Sequence, residues 1–225
     1  MNYVIIAAGG KGTRFGGGVS KQLASLSGKP MLSWSLEVFA AETGIDQIIL
    51  VHPTDESEGL YSPFLRLSGK ITFVKGGTAR YDSVRNGFES ISGSNSDLVL
   101  IHDAARPLLS TRLVQRVLAA VAEKGAVIPA LPVQETVKEA EEDRVIRTLP
   151  RDQLYLAQTP QGFRWDILKA AYSTVARSED LTDEALLVEK AGFPVFLVTG
   201  EKENIKITDA EDVQLAEYYM QGGKR

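Results

Sequence analysis

The chain has 225 residues, with 25 Lys and Arg against 29 Asp and Glu for a formal net charge of −4, a length that allows one large domain or one domain with an appendage. It holds no cysteine and two histidines, His52 and His102, which excludes disulfides, thiol catalysis, iron–sulfur clusters and zinc held by cysteines or by several histidines. Hydrophobic residues at 44% suit a sizeable core, the mild acidity offers no general attraction to nucleic acid or anionic membrane, and no apolar run reaches the roughly 18 residues of a membrane span.

The N-terminal stretch MNYVIIAAGG lacks a charged leader region and passes directly into an apolar run at residues 4–7. A signal peptide is therefore not expected, and the cytoplasm is the expected location. Further short apolar runs follow at 48–51, 98–101, 127–130 and 195–198. Each is about four residues long without strict alternation, the pattern of strands buried on both faces of a parallel sheet. Helical spacing fills the gaps: Leu32, Leu36 and Phe39 after Pro30, then Val84, Phe88 and Ile91. Leu113, Val114, Val117, Leu118 and Val121 form a wider stripe with Ser110 or Thr111 as candidate N-cap, and Ile167, Leu168, Ala171, Tyr172 and Val175 form a fourth. Thr208 with Glu211 makes a capping-box pattern opening a last helix through Val213 and Ala216.

This alternation predicts an α/β fold, a single Rossmann-like domain over residues 1–225 with a mostly parallel sheet flanked by helices. Residues 132–152 break the rhythm, with two extended stretches around the acidic run 139–143. They predict a projecting β-hairpin arm, and because a lone hairpin is marginal in water it is expected to pack on something, a second subunit being the natural partner.

The first strand runs into AAGGKGTRFGGGVSK, with six glycines between residues 9 and 18. Glycines at the carboxyl end of a first parallel strand let backbone N–H groups approach a phosphate closely. A Walker A loop requires Lys-Ser/Thr after its last glycine, but Gly12 is followed by Thr13-Arg14 and Gly18 by Val19. A dinucleotide fingerprint starting at Gly10 meets Phe15 where its last glycine belongs. What remains is a glycine loop bearing the cations Lys11, Arg14 and Lys21, suited to a polyphosphate, or else a flexible connection with solvated basic residues.

The next feature is HDAARP at 102–107, immediately after a buried strand. In a parallel sheet this tip shares an edge with the glycine loop. Asp103 there suits Mg²⁺, which takes few protein ligands and fills the rest with water and substrate phosphate. Arg106 is placed to orient Asp103 or to meet phosphate, and an Asp–Arg pair that simply closes the loop is the structural alternative. His102 is expected to be a packed, hydrogen-bonded residue rather than a metal ligand or base.

AAGGKGTR, SKQ, GGTARYDSV, LIHDAARP, QTPQ, LTDEA and NIKIT occur in this order. Together they resemble the 2-C-methyl-D-erythritol 4-phosphate cytidylyltransferases of the non-mevalonate isoprenoid pathway, from Val4 to about Tyr219. The resemblance implies transfer of a cytidylyl group from CTP to the sugar-alcohol phosphate with release of pyrophosphate. It implies catalytic roles for Arg14, Lys21 and Lys206. The nucleotide would lie against Ala7, Ala8, Gly9, Gly10, Gly12, Thr13, Gly76, Gly77, Arg80, Ser83 and Asp103. Asp103 would also ligate Mg²⁺ or another hard divalent cation, with Arg106 as its supporting partner. Asp103, Arg106, Thr136, Arg151, Thr159, Thr182 and Lys206 would receive the acceptor. The family's arm reaches the neighbouring subunit's site, which implies a homodimer. No membrane or nucleic-acid partner is implied.

One departure stands out: the family's PKQ is Ser20-Lys21-Gln22 here. Serine lacks proline's restraint, so a more mobile loop without CTP is expected, and Lys11 becomes a rival to Lys21. Ribitol-5-phosphate cytidylyltransferases share much of this pattern, but HDAARP, with Ala105 where they tend to carry Val, and LTDEA favour methylerythritol phosphate. A sugar-1-phosphate nucleotidyltransferase and a non-catalytic nucleotide sensor on the same fold are the broader alternatives. The chemistry itself requires positioning and charge neutralisation more than acid–base groups, because a phosphate monoester is already anionic near neutral pH.

Overall fold

The computed structural model describes residues 1–9, 20–177 and 181–222. Its main sheet contains β1 (Asn2–Ala7), β4 (Gln47–His52), β5 (Ile71–Lys75), β6 (Leu98–Asp103), β7 (Ala126–Pro132), β10 (Tyr155–Ala157), β11 (Gln161–Arg164) and β12 (Phe196–Thr199). Two small hairpins supply β2 (Ser25–Leu26) with β3 (Lys29–Pro30) and β8 (Val137–Glu141) with β9 (Arg144–Leu149). The spatial order is β10-β7-β11-β6-β1-β4-β5, with β12 on β7. β6, β1, β4 and β5 run parallel, as do β7 and β12, while β10 and β11 run antiparallel to their neighbours.

Successive strand residues point to opposite faces, and both faces are covered. Val4, Ile6, Ile48, Leu50 and Leu100 pack against α1 (Met31–Ala41) and α3 (Thr111–Lys124). Tyr3, Ile5, Ile49, Val51, Val99 and Ile101 pack against α2 (Arg80–Glu89), α4 (Trp165–Thr174) and α5 (Glu184–Lys190). Two covered faces explain why the strands read as unbroken apolar runs. The third cluster joins α6 (Ala210–Met220), through Ala216, to Leu26, Met31 and Ile207. That packing fixes the segment just before α6, which carries Lys206.

The five apolar runs all become strands, and the four helical stripes become α1 to α4. Ser110 caps α3, its hydroxyl accepting from the Leu113 N–H. The last cap lies one residue later than the motif suggests: Asp209 caps α6 and Asp212 completes the box. β12 departs from the expectation of burial on both faces, since Phe196 and Leu197 are 40% and 44% exposed at an edge of the sheet. β5, β10, β11 and α5 carry no clear periodic signal. β5 is a half-buried edge strand, β11 reads QGFR, and α5 has only 7 residues.

The predicted arm is present. β8 and β9 pair only with each other, joined across the hairpin by Arg147 Nε to Glu139 Oε2 at 2.5 Å and Lys138 Nζ to Thr148 Oγ1 at 2.6 Å. Val145 and Ile146 stand exposed on it.

α2 lies close on the sheet because Gly87 has no side chain. A Cβ there would come 2.9 Å from methyl groups of both Ile5 and Val51. Gly87→Ala would gain about 1 kcal/mol in helix propensity, but overpacking a filled core costs more. A net loss of about 1–2 kcal/mol in urea unfolding is expected, and unchanged or increased stability would show that α2 can shift outward.

Candidate active site

The register puts Ala7 opposite both Val51 and Asp103. The tips of β1, β4 and β6 therefore end level, and the chain turns away from each at the same edge. A cleft of about 210 Å³ opens there. One wall is Ala7, Ala8 and Gly9, continued by Ala104 and Ala105 after β6. Ala8 N–H bonds to the Val51 carbonyl at 2.9 Å, and Ala104 N–H to the Ala7 carbonyl at 3.2 Å, so this wall is rigid backbone.

Ser83, on the first turns of α2, closes the floor. Its hydroxyl accepts from Gly77 N–H and donates to the Ala79 carbonyl, each at 3.0 Å. Cβ atoms on Gly9 and Gly76 would sit 2.7 Å and 2.8 Å from that oxygen. Side chains at either position would push the two loops apart, which is the physical reason both are glycine.

Charge converges on Asp103. Its Oδ1 accepts from Arg80 Nε at 3.0 Å and its Oδ2 from Lys206 Nζ at 2.8 Å. Burial works against the charge, but Arg80 and Lys206 outweigh it and hold the carboxyl well below the usual carboxylate range. Arg80 is gripped from behind by Glu184, whose two carboxylate oxygens accept from Nη1 at 3.0 and 2.8 Å. Two cations and two carboxylates thus form a neutral cluster. Lys21 also lines the cleft, its Nζ donating to the carbonyl of Ile207, the residue after Lys206.

An adjoining recess of about 120 Å³ shares Arg80, Asp103 and Lys206 and adds Arg106, Thr159 and Thr182. Arg106 supports Asp103 through its backbone, its N–H donating to the Asp103 carbonyl at 3.0 Å. Its guanidinium donates to the carbonyls of Asn204 at 2.7 Å and Ala157 at 3.2 Å, while Arg80 and Lys206 are the ion-pair partners of the Asp103 carboxylate.

His102 is fully buried and acts as a brace, in line with expectation. Its Nε2 faces the Arg106 carbonyl at 3.1 Å, an acceptor only, so Nε2 carries the proton. Nδ1 therefore accepts from the Thr159 hydroxyl at 3.0 Å, and that oxygen accepts from Asp103 N–H at 3.1 Å. Thr159 lines the recess, but its hydroxyl is engaged inward and fixes the backbone of Asp103.

Ala7, Ala8, Gly9, Lys21, Arg80, Ser83, Asp103 and Lys206 come together in the cleft, with Gly76 and Gly77 behind its floor. Thr136 and Arg151 line neither hollow. They lie at the root of the arm, where Arg151 Nη1 donates to the Gln134 carbonyl at 2.6 Å. Gly10, Lys11, Gly12, Thr13 and Arg14 lie outside the described residues.

Sequence reasoning missed Glu184, Gln158, Gln161 and Asn204. Gln158 holds the 201–204 turn through Glu201 N–H at 3.0 Å and the Glu201 carbonyl at 2.8 Å. Gln161 holds the start of α5 through Asp183 at 2.8 Å and Ala185 N–H at 3.2 Å. Asn204, fully buried, donates to the Thr159 carbonyl at 2.8 Å. A carboxylate followed at once by an apolar helix stripe, as in Asp183-Glu184-Ala185-Leu186-Leu187-Val188, is the one signal that marks Glu184 for burial.

Burial pushes the His102 imidazole down from 6.5 to about 4, against the opposing pull of its partners. Between those values the unfolded chain binds a proton that the folded chain excludes. Stability is then complete above pH 6.5 and lost as pH falls towards 4, by up to about 3 kcal/mol from this group. Urea unfolding of wild type and His102→Asn from pH 7 to about 4.5 checks this. The variant should show a shallower decline, and parallel declines would mean that His102 titrates alike in both states.

The family model described as 2-C-methyl-D-erythritol 4-phosphate cytidylyltransferase, IspD, matches residues 2–222. The Haemophilus influenzae (strain Rd) protein of that name is 39% identical over 222 residues, covering 98% of this chain and 96% of its own. The bifunctional enzyme IspD/IspF of Rhodospirillum rubrum is 42% identical over 97% of this chain, and the chain spans 56% of that longer relative. Among solved structures, the 4-diphosphocytidyl-2C-methyl-D-erythritol synthase of Anaerococcus prevotii superposes with a TM-score of 0.85 at 33% identity, covering 98% of each chain. Similarity that runs unbroken through both the sheet and the loops around Asp103 leaves one assignment: the chain belongs to the 2-C-methyl-D-erythritol 4-phosphate cytidylyltransferase family.

Proposed function

We propose that this chain, as one nucleotidyltransferase domain, transfers the cytidylyl group of CTP to 2-C-methyl-D-erythritol 4-phosphate. A phosphate oxygen of the acceptor attacks the α-phosphorus of CTP in line. The new P–O bond forms as the bond to the β-phosphate oxygen breaks, and pyrophosphate leaves with that electron pair. The products are 4-diphosphocytidyl-2-C-methyl-D-erythritol and pyrophosphate. Family membership supports the reaction. The observation that carries its placement is the convergence of Lys21, Arg80 and Lys206 on a cleft whose floor is Asp103 and whose wall is backbone.

The reaction requires positioning and neutralised charge. The backbone at Ala7, Ala8 and Gly9, with Ser83 beneath, suits the nucleoside. Lys21, joined by Arg14, neutralises the triphosphate. Lys206 and Arg106 face the recess where the acceptor phosphate belongs, with Thr182 at its rim. No general base is required, since the acceptor is anionic near neutral pH, and the only histidine near the cleft is buried and neutral. Among the described residues no three His, Cys, Asp or Glu side chains cluster. Asp103 offers a single carboxylate, which fits Mg²⁺ completed by triphosphate oxygens and water. Bound there, the ion would add positive charge at the phosphates.

The arm supports a homodimer in the cytoplasm. It stands off the sheet with exposed apolar residues, and Thr136 and Arg151 lie at its root, outside the cleft of their own chain. In this reading each arm brings them to the partner's acceptor recess.

Pyrophosphate release with CTP and Mg²⁺ tests the reaction. Release is expected with methylerythritol 4-phosphate and not with ribitol 5-phosphate, and the reverse would keep the chemistry but change the acceptor. Lys21→Ala should lower kcat by about 10²–10³-fold, and normal turnover would remove Lys21 from catalysis. Lys206→Ala and Arg151→Ala should chiefly raise KM for the acceptor.

The dimer has its own test. Mixing Arg151→Ala with Lys206→Ala subunits should restore about a quarter of wild-type activity, because half the dimers are mixed and each has one intact site. No recovery would mean that Arg151 serves its own chain.

A further inference from the structure

Lys21 sits on a single tight turn. Leu23 N–H bonds to the Ser20 carbonyl at 2.8 Å and Ala24 N–H to the Lys21 carbonyl at 3.1 Å. The turn joins the cleft to β2 and has no proline. Ser20 nonetheless has φ −54° and ψ 134°, a φ within the range that a proline ring imposes. That is ordinary extended backbone, open to any residue, and a contact outside the turn anchors it.

The side chain next to Lys21 shows what does. Gln22 is 5% exposed and points inward, its Nε2 donating to the Tyr61 hydroxyl at 3.1 Å. Tyr61 is fully buried, its ring lying 5.4 Å from that of His52 and 6.3 Å from that of Phe64. Its own proton goes to Glu56. The chain Gln22 to Tyr61 to Glu56 is directional, each donor facing an acceptor, and it ends on a carboxylate, which strengthens the bonds before it. Burial, then Glu56, raise the phenol far above its ordinary value, so it remains a hydroxyl, and the Ser20 side chain also interacts with it. Both neighbours on the turn border the cleft, and Gln22 is the one tied by its amide to a fixed anchor in the core.

We infer that Tyr61 is a positioning residue for Lys21: its hydroxyl holds the 20–24 turn through Gln22. The inference rests on the proposed role of Lys21 in the transfer.

Tyr61→Phe removes one oxygen and keeps the ring packing. It should lower kcat by about tenfold, with KM for the acceptor unchanged and the thermal midpoint within a few degrees. In a Lys21→Ala background the same change should have no further effect on kcat, because the group being positioned is gone. Should Tyr61→Phe fail to fold, Glu56→Leu removes the acceptor that orients the same hydroxyl and takes its place in the cycle.

A folded Tyr61→Phe with wild-type kcat overturns the inference. So does a loss that multiplies with that of Lys21→Ala, which would place the effect of Tyr61 elsewhere. Wild-type turnover by Lys21→Ala alone removes the catalytic role of Lys21, and the inference falls with it.

Discussion

Asp103 is a carboxylate with almost no contact with water, and it stays ionised because Arg80 and Lys206 lie against its two oxygens. Those cations come from α2 and from the segment before α6, distant in sequence. Bringing them together binds the β1 wall of the cleft, the tip of β6 and the adjoining recess into one unit. Removing Arg80 would leave the buried Glu184 carboxylate without its ion-pair partner, which costs about 3–5 kcal/mol. Glu184 extends the unit to α5 by gripping Arg80 from behind. The cluster is neutral by itself, so attraction for a triphosphate depends on charges added around it, Lys21 among them.

The sheet makes this convergence possible. β1 and β6 are in register, with Ala7 level with Asp103, and parallel strands send their carboxyl ends to one edge. The antiparallel stretch from β10 to β11 breaks at residues 158–160. Gln158 and Thr159 in the break, and Gln161 at the start of β11, each brace a different part of the site: the 201–204 turn, His102 with the backbone of Asp103, and the start of α5.

Much of this was legible in the chain. Unbroken apolar runs at β1, β4 and β6 identified strands covered on both faces, because burial of both faces removes polar alternation. Gly9, where the glycine loop leaves β1, and Asp103 share one sheet edge, as parallel topology alone requires. Arg106 bonds to Asp103 through its backbone N–H, but that its guanidinium turns to the carbonyls of Asn204 and Ala157 could not be read from three residues of separation. The apolar stripe after Glu184 hints at its burial, but its partner Arg80 could not be read from the sequence, because the two lie on separate helices. The bond from Gln22 to Tyr61 could not be read from the serine at position 20 or its neighbours, because Tyr61 lies far along the chain.

The sequence by itself determined the class of fold, the arm, the family and the kinds of charge available at the site. These follow from local periodicity, turn chemistry and the order of short motifs, all of which are properties of neighbouring residues. Only the tertiary structure decided which charges meet. Arg80 with Asp103 and Glu184, Lys206 with Asp103, His102 with Thr159, and Gln22 with Tyr61 are pairings between residues 23, 104, 103, 57 and 39 positions apart. Ion pairs and hydrogen bonds act over a few ångströms, so such partners are chosen by the packing of strands and helices and not by spacing along the chain.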